Sequence, residues 1–344
     1  MITADFLPEW LVVLNPHAGC GRGFRDKGRI SGLLDSSQLN YKLVVSEYPR
    51  HAITLTKEFI EQGYRKIIVA GGDGTLNEIV NGIFLQEAVP PGEIIVAMLP
   101  VGTGNDWIKT FGIPADYEKA LKIILDGKVI KQDIGKVSFT DQNEEKVRFF
   151  ANMAGFGFDA MVARKANSLK EKGRSGLLVY LQSLISSFVE YQVCKTKITI
   201  GENQIDDLVF SASIGIGKFN GGGMMQAPFA VPDNGEFQVT VIKKIGILGI
   251  LRNIGRLYTG DFIKDRRVST FKSTRIKIIG SRQIPGEVDG EILGNSTFII
   301  EMVPERLSVI YGDDKYFATH PVSHRHKKLL KKPATAMERI NSGA

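Results

Sequence analysis

Three glycine-rich turns and one acidic turn hold the residues of this sequence that could do chemistry. The densest is Gly71-Gly72-Asp73-Gly74-Thr75-Leu76-Asn77-Glu78. Three glycines in four positions remove side chains where the backbone must bend sharply and where a polyanion can approach main-chain amides. Asp73 sits between two of them and adds no packing; a carboxylate there suits holding a divalent cation or positioning a hydroxyl. The second turn, Asn15-Pro16-His17-Ala18-Gly19-Cys20-Gly21-Arg22-Gly23, lacks the Gly-Lys-Ser/Thr ending of a Walker A loop and the full spacing of a dinucleotide motif. It reads equally as a phosphate contact or a flexible turn. The third is Pro100-Val101-Gly102-Thr103-Gly104-Asn105-Asp106, and the acidic one is Gly286-Glu287-Val288-Asp289-Gly290-Glu291. On spacing alone the last is a tight hairpin.

These turns need elements to aim them. Ile67 to Ala70 is short, apolar and β-branched, as expected of a strand covered on both faces. Thr75 and Glu78 have capping-box spacing, which predicts a helix through Ile79, Val80 and Ile83 with its positive end at the turn. Strands are expected at Trp10 to Leu14, Tyr41 to Val45 and Ile94 to Leu99. Helices are expected from about Gly28 to Leu34, from Ile53 to Gln62, and from near Trp107, the last capped by Asn105 or Asp106. That alternation predicts a doubly wound α/β domain, a Rossmann-like parallel sheet with its ligand at the strand C-termini. Near Lys131 to Gly135 helical periodicity fades. Short strands follow at Lys136 to Phe139, Val147 to Met153, Lys195 to Ile200, Leu208 to Ile216, Phe237 to Ile242, Thr274 to Ile279, Thr297 to Val303 and Leu307 to Tyr311. They predict a mainly antiparallel β second domain. The domains are placed at 1–134, with 312–344 as a candidate completing segment, and at 135–311.

The 344 residues exceed the usual single-domain range, and 43% hydrophobic with 24% charged residues is a globular composition. No apolar run approaches a membrane span, and the N-terminus, with Asp5 and Glu9, does not read as a signal peptide. Cys20 and Cys194 alone indicate neither a disulfide framework nor a zinc cluster, and a cytoplasmic setting fits. A net charge of +7 calls for an acidic partner. Nucleic acid is disfavoured because no nucleic-acid-binding signature stands out, which leaves an anionic membrane surface. Two segments suit it: Leu177, Leu178, Leu181, Leu184, Ile185 and Phe188 after a stretch with Arg164, Lys165, Lys170, Lys172 and Arg174, and Ile245, Leu248, Leu251, Ile254 and Leu257 with Arg252, Arg256, Lys264, Arg266 and Arg267. Both also read as helices packed on a sheet. The basic run His320 to Ala344 reads as a helix returning to the first domain or a membrane-attracted tail. Oligomeric state, a homodimer included, stays open.

The turn at Gly71 to Glu78 resembles the signature of the diacylglycerol kinase catalytic domain, shared by bacterial lipid kinases and by sphingosine and ceramide kinases. Asn15-Pro16-x-Ala18-Gly19 is similar to that family's first nucleotide loop, and Ser46 with His51-Ala52 to a Thr and a His-Ala pair beside the nucleotide. Pro100-x-Gly102-Thr103-x-Asn105-Asp106 resembles its third loop, Asn152 to Ala160 a further motif, and Asp289-Gly290-Glu291 its Asp-Gly-Glu. The motifs occur in family order up to about residue 311. The resemblance implies an ATP-dependent lipid kinase using magnesium. ATP would contact Asn15, Pro16, Gly19, Ser46, Gly71, Gly72, Asp73, Gly74, Thr75, Glu78, Thr103, Asn105 and Asp106. Glu291 or Asp289 would be the base, with Asp73 orienting nucleotide and metal. The family also holds magnesium in a loop matching Gly221 to Phe237; candidate ligands are Val231, Asp233, Asn234 and Glu236. There Asn234 stands before Gly235 in place of an aspartate, so that site is expected to be weaker or absent. NAD kinase, which shares a Gly-Gly-Asp-Gly turn, is the nearest alternative, and a non-catalytic lipid-binding protein on the same scaffold is another.

Overall fold

A computed structural model describes residues 9–171 and 177–312. Lys172, Arg174 and the run His320 to Ala344 lie outside the described residues, and so does the segment considered for completing the first domain, beyond Gly312. The first lobe alternates β1 (Trp10–Leu14), α1 (Ala18–Ser36), β2 (Tyr41–Val45), α2 (His51–Glu61), β3 (Lys66–Gly71), α3 (Asp73–Leu85), β4 (Ile95–Pro100), α4 (Asp106–Thr110), α5 (Tyr117–Asp126) and β5 (Val129–Gln132). Its six-stranded sheet runs β2-β1-β3-β4, then β17 (Leu307–Ile310), then β5. Strands β1 to β4 are parallel. Leu14 pairs with both Val45 and Ala70, and Gly71 with Pro100. All three glycine turns therefore leave the sheet at one edge, where the strand order reverses direction and ligands of doubly wound folds sit.

The second lobe contains β6 (Gly135–Asp141), β7 (Glu144–Phe150), β8 (Met153–Gly157), α6 (Phe158–Glu171), α7 (Leu177–Glu190), β9 (Cys194–Ile200), β10 (Asn203–Gly215), β11 (Phe237–Lys243), α8 (Ile247–Thr259), β12 (Val268–Ser273), β13 (Arg275–Gly280), β14 (Ile284–Val288), β15 (Glu291–Ser296) and β16 (Phe298–Met302). They form an eleven-stranded antiparallel sheet, β15-β14-β8-β10-β9-β13-β16-β6-β7, with β11 on β10 and β12 on β11. Its core is built on Phe150, Phe156, Phe237 and Phe298.

Three local expectations change. Leu307–Ile310 belongs to the first sheet, parallel to β4 and antiparallel to β5, although it was assigned to the second domain. A four-residue apolar strand buried on both faces suits either sheet, and only its partners decide. Helix α1 starts at Ala18 through a left-handed kink at Gly19, Cys20 and Gly21, whose positive φ hid its first turns from a periodicity argument. The single strand expected from Val147 to Met153 is two, broken at Ala151 and Asn152, whose amides leave the ladder for Asp289. Strands β5 and β12 had no expectation.

Candidate active site

A cleft of about 500 Å³ lies between the lobes. Asn15, Gly19, Gly72, Asp73, Gly74, Thr75, Glu78, Thr103, Asn105 and Asp106 line it from the first lobe, and Asn152, Asp159, Glu287, Asp289 and Glu291 from the second. Pro16, Ser46 and Gly71 do not line it. Gly71 lies beneath Thr75 and gives its carbonyl to the amides of Val101 and Gly102. Ser46 is buried, its amide donating to Leu14, and the Pro16 carbonyl accepts from the Phe24 amide. His51, stacked on Tyr48, accepts a hydrogen bond from the Glu47 amide through Nδ1.

Polar side chains of the first lobe are exchanged between turns rather than used locally. Helix α3 begins at Asp73, three residues earlier than a capping box on Thr75 requires, and Gly72 makes no side-chain cap. Thr75 Oγ1 instead accepts from Asn15 Nδ2 at 3.0 Å, tying the first turn to the second. The Glu78 carboxylate caps α2, accepting from the amides of Arg50 and Ala52 at 3.1 Å each. Asp73 caps α4, accepting from Asp106 N at 2.9 Å and Trp107 N at 3.1 Å, so neither Asn105 nor Asp106 supplies that cap. Burial, and then the Asp106 charge, push the Asp73 carboxyl up to about 6. Asp73 is thus first a bridge between its own turn and the third, with Asp106 as its acidic neighbour.

Asp289 is engaged in holding the lobes together. Its Oδ2 accepts from Asn77 Nδ2 at 3.0 Å and Ala151 N at 2.9 Å, and its Oδ1 from Asn152 N at 3.0 Å and Met153 N at 2.9 Å. Four donors saturate the carboxylate, which is buried and joins α3 to the β7–β8 break. Glu291 is the free one. Among the described residues its side chain makes no hydrogen bond or ion pair, it is half-buried, and its Oε1 lies 3.2 Å from where a Cβ on Gly74 would stand. It therefore faces the N-terminus of α3 from the opposite lobe.

Two carboxylates escaped the sequence reading as site residues. Glu287 is buried, accepts from Gly290 N at 2.8 Å, and is pushed up to about 8, chiefly by burial. Asp159, at the start of α6, accepts from Ser211 Oγ at 2.7 Å and Ser213 Oγ at 2.8 Å, both on Oδ2. With Gln226 it lines both the cleft and a second, apolar pocket walled by Phe158, Leu184, Phe210, Ile245, Ile250 and Phe262. An acidic residue closing the apolar run Gly155-Phe156-Gly157-Phe158 was the available signal; nothing local revealed the pocket behind it.

Around that pocket α7 and α8 turn some apolar side chains outward. Val189 and Leu248 are about four-fifths exposed, at 82% and 79%, whereas Leu184 and Ile250 point in. Leu248, expected on one stripe with Ile245, Ile254 and Leu257, faces away from the core. Lys165, Lys264 and Arg267 pair with Glu190, Asp261 and Asp265. Among the described residues no helix is long and apolar enough to cross a membrane.

In the loop at Val231 to Glu236, two of the four candidate ligands, Asn234 and Glu236, turn away from a common centre. Asn234 Oδ1 turns back to accept from Glu236 N at 3.0 Å, Gly235 N donates to Asp133 Oδ2 at 2.6 Å, and Glu236 is exposed. Among the described residues no three His, Cys, Asp or Glu side chains converge as ligands, whereas a hard cation asks for six or more oxygens.

Residues 9–137 match the diacylglycerol kinase catalytic domain, and residues 152–311 the YegS C-terminal NAD kinase beta sandwich-like domain. A Bacillus subtilis protein named as lipid kinase YtlR is 27% identical over 319 residues, covering 88% of this chain and 99% of that one. A diacylglycerol kinase of Staphylococcus carnosus is 29% identical over 243 residues, 70% of this chain and 74% of its own. Two solved structures share the fold: a diacylglycerol kinase of Bacillus anthracis (TM-score 0.64, 22% identity, covering 90% and 99% of the two chains) and a yeast NADH kinase complexed with NADH (0.53, 12%, 97% and 91%). The two domain matches follow one another along the chain and meet across the cleft: the first lobe belongs to the diacylglycerol kinase catalytic domain family, the second to the YegS C-terminal one, and the chain is a lipid kinase, a phosphotransferase.

Proposed function

We propose that the protein transfers the γ-phosphate of ATP to a hydroxyl of a membrane lipid, with the nucleotide on the glycine turns and the lipid chain in the apolar pocket. The observation that carries this is that Asp159 and Gln226 line both cavities, so the polar cleft and the apolar pocket lie on the same two side chains. A polar cleft adjoining an apolar pocket suits a long-chain alcohol, and favours it over NAD, which carries no long apolar chain.

Phosphoryl transfer asks the protein mainly to align the hydroxyl with the phosphate and to offset charge spreading over its oxygens. The amides of Gly72 to Thr75 and the α3 N-terminus, bare of competing side chains, would meet that charge. Glu291 would accept the hydroxyl proton, and Asp159 would orient the lipid headgroup. Magnesium, when bound, offsets phosphate charge; Asp73 and Asp106 are the carboxylates placed to meet an ion arriving with the nucleotide. Outward Leu248 and Val189, with Arg252 and Arg256 nearby, would seat the pocket mouth on an anionic membrane.

Incubation of the purified protein with labelled ATP, magnesium and lipids in mixed micelles tests this. Label is expected on a hydroxyl-bearing lipid; label on NAD alone overturns the proposal.

A further inference from the structure

The chain crosses between lobes twice, at Asp133-Ile134 and at residues 303–306. The crossings run side by side, Val303 N donating to Ile134 O at 2.9 Å. Each contributes one member of an ion pair: Arg306 Nε lies 2.7 Å from Asp133 Oδ1, with the aspartate side chain 3% exposed. The other oxygen, Oδ2, takes the Gly235 amide at 2.6 Å, and the Asp133 amide donates to Pro232 O at 2.7 Å. The guanidinium reaches the same loop, one Nη lying 3.6 Å from the place of a Cβ on Gly235. Asp233, also buried, adds a second negative charge that acts on Asp133.

A buried carboxylate needs a compensating charge and a filled set of hydrogen bonds. In this loop Asn234 and Glu236 turn elsewhere, as described above, while a guanidinium stands against the buried Asp133 beside it. We propose that Arg306 is the resident cation of the 231–236 loop, neutralising and cross-linking it in place of a divalent metal, so that loop and hinge hold together without one. A guanidinium stays charged at every accessible pH, brings a planar fork of donors and cannot be chelated away. The inference is independent of which nucleotide or lipid the cleft takes.

Thermal unfolding of the full chain without nucleotide, in excess EDTA and in millimolar magnesium, tests it. The wild-type midpoint is expected to be the same in both. Arg306→Gln should melt lower by on the order of 5 to 10 °C, and magnesium should raise that variant's midpoint because the buried Asp133 is left without its guanidinium. Arg306→Lys, which keeps charge without the fork, should fall between and serves if the glutamine variant does not fold. A wild-type midpoint that drops on chelation overturns the proposal. So does a divalent ion that stays bound through gel filtration, a glutamine or lysine variant that melts like wild type, or an equal response of wild type and variant to magnesium.

Discussion

The acidic hairpin separates roles that its spacing could not. Asp289 and Glu291 are two residues apart, yet one is saturated by four donors and the other is free to meet a reactant. Replacing Glu291 by Gln is expected to lower kcat by about 10² to 10⁴, the usual worth of a general base, with the melting temperature unchanged; a variant retaining wild-type turnover excludes it as the base. Glu287 makes a pH prediction. Its folded pKa, about 8, lies above the ordinary value, so the native state holds a proton that the unfolded chain has released. Stability from this group is full below the unfolded value near 4.5 and is lost as pH rises through about 8. Glu287→Gln keeps the acceptor for Gly290 N without the charge, so its midpoint should exceed wild type's at pH 8 and lose that advantage by pH 5 in thermal melts. The repeated motif residues Gly71 to Glu78 were legible as a site because glycine and carboxylate types carry their meaning locally. Asp159 was not, because its role comes from the pocket beside it.

At the scale of elements, helices in the first lobe are capped by one another. Asp73 of α3 caps α4, and Glu78 of α3 caps α2, so one helix sets the angle of two others at the cleft. A capping box was the reasonable local inference from Thr75 and Glu78, and it failed because distant amides won the carboxylate. The amphipathic helices follow the same lesson. Periodicity placed α7 and α8 correctly as helices with apolar faces, but which residues stay outside depended on the pocket they wall. Leu248→Glu and Arg252→Glu are each expected to reduce co-sedimentation with anionic vesicles several-fold, since a basic residue at such a surface contributes about 1 kcal/mol. Folding and micellar activity should be retained, and undiminished sedimentation of both variants removes α8 from the membrane contact.

Across the molecule, the lobes are joined where the site is. Asn77 from α3 reaches the Phe149 carbonyl and Asp289, and Asn81 brackets Phe149 through both its carbonyl and its amide. Asp289→Ala would leave the amides of Ala151, Asn152 and Met153 buried and unmet. At about 1 to 3 kcal/mol for each unsatisfied group, a loss of several kcal/mol is expected in denaturant titration, together with activity. A stable but inactive Asp289→Ala protein would return Asp289 to the chemistry. Strand β17 adds to the union, since the chain must leave the second lobe and re-enter the first sheet between β4 and β5.

What the residues determined unaided was the class of each half: parallel where buried β-branched strands alternate with amphipathic helices, antiparallel where short strands follow polar turns. They also determined the places where backbone amides lie open, because a glycine needs no neighbour to show its function. The tertiary structure decided which carboxylate of the acidic turn is bound up, which strand completes which sheet, and which charge pair stands beside the 231–236 loop. The reason is separation along the chain. Asn15 meets Thr75 across 60 residues and Asn77 meets Asp289 across 212, and the burial and hydrogen-bond partners that fix a carboxylate's role exist only after those distances have closed.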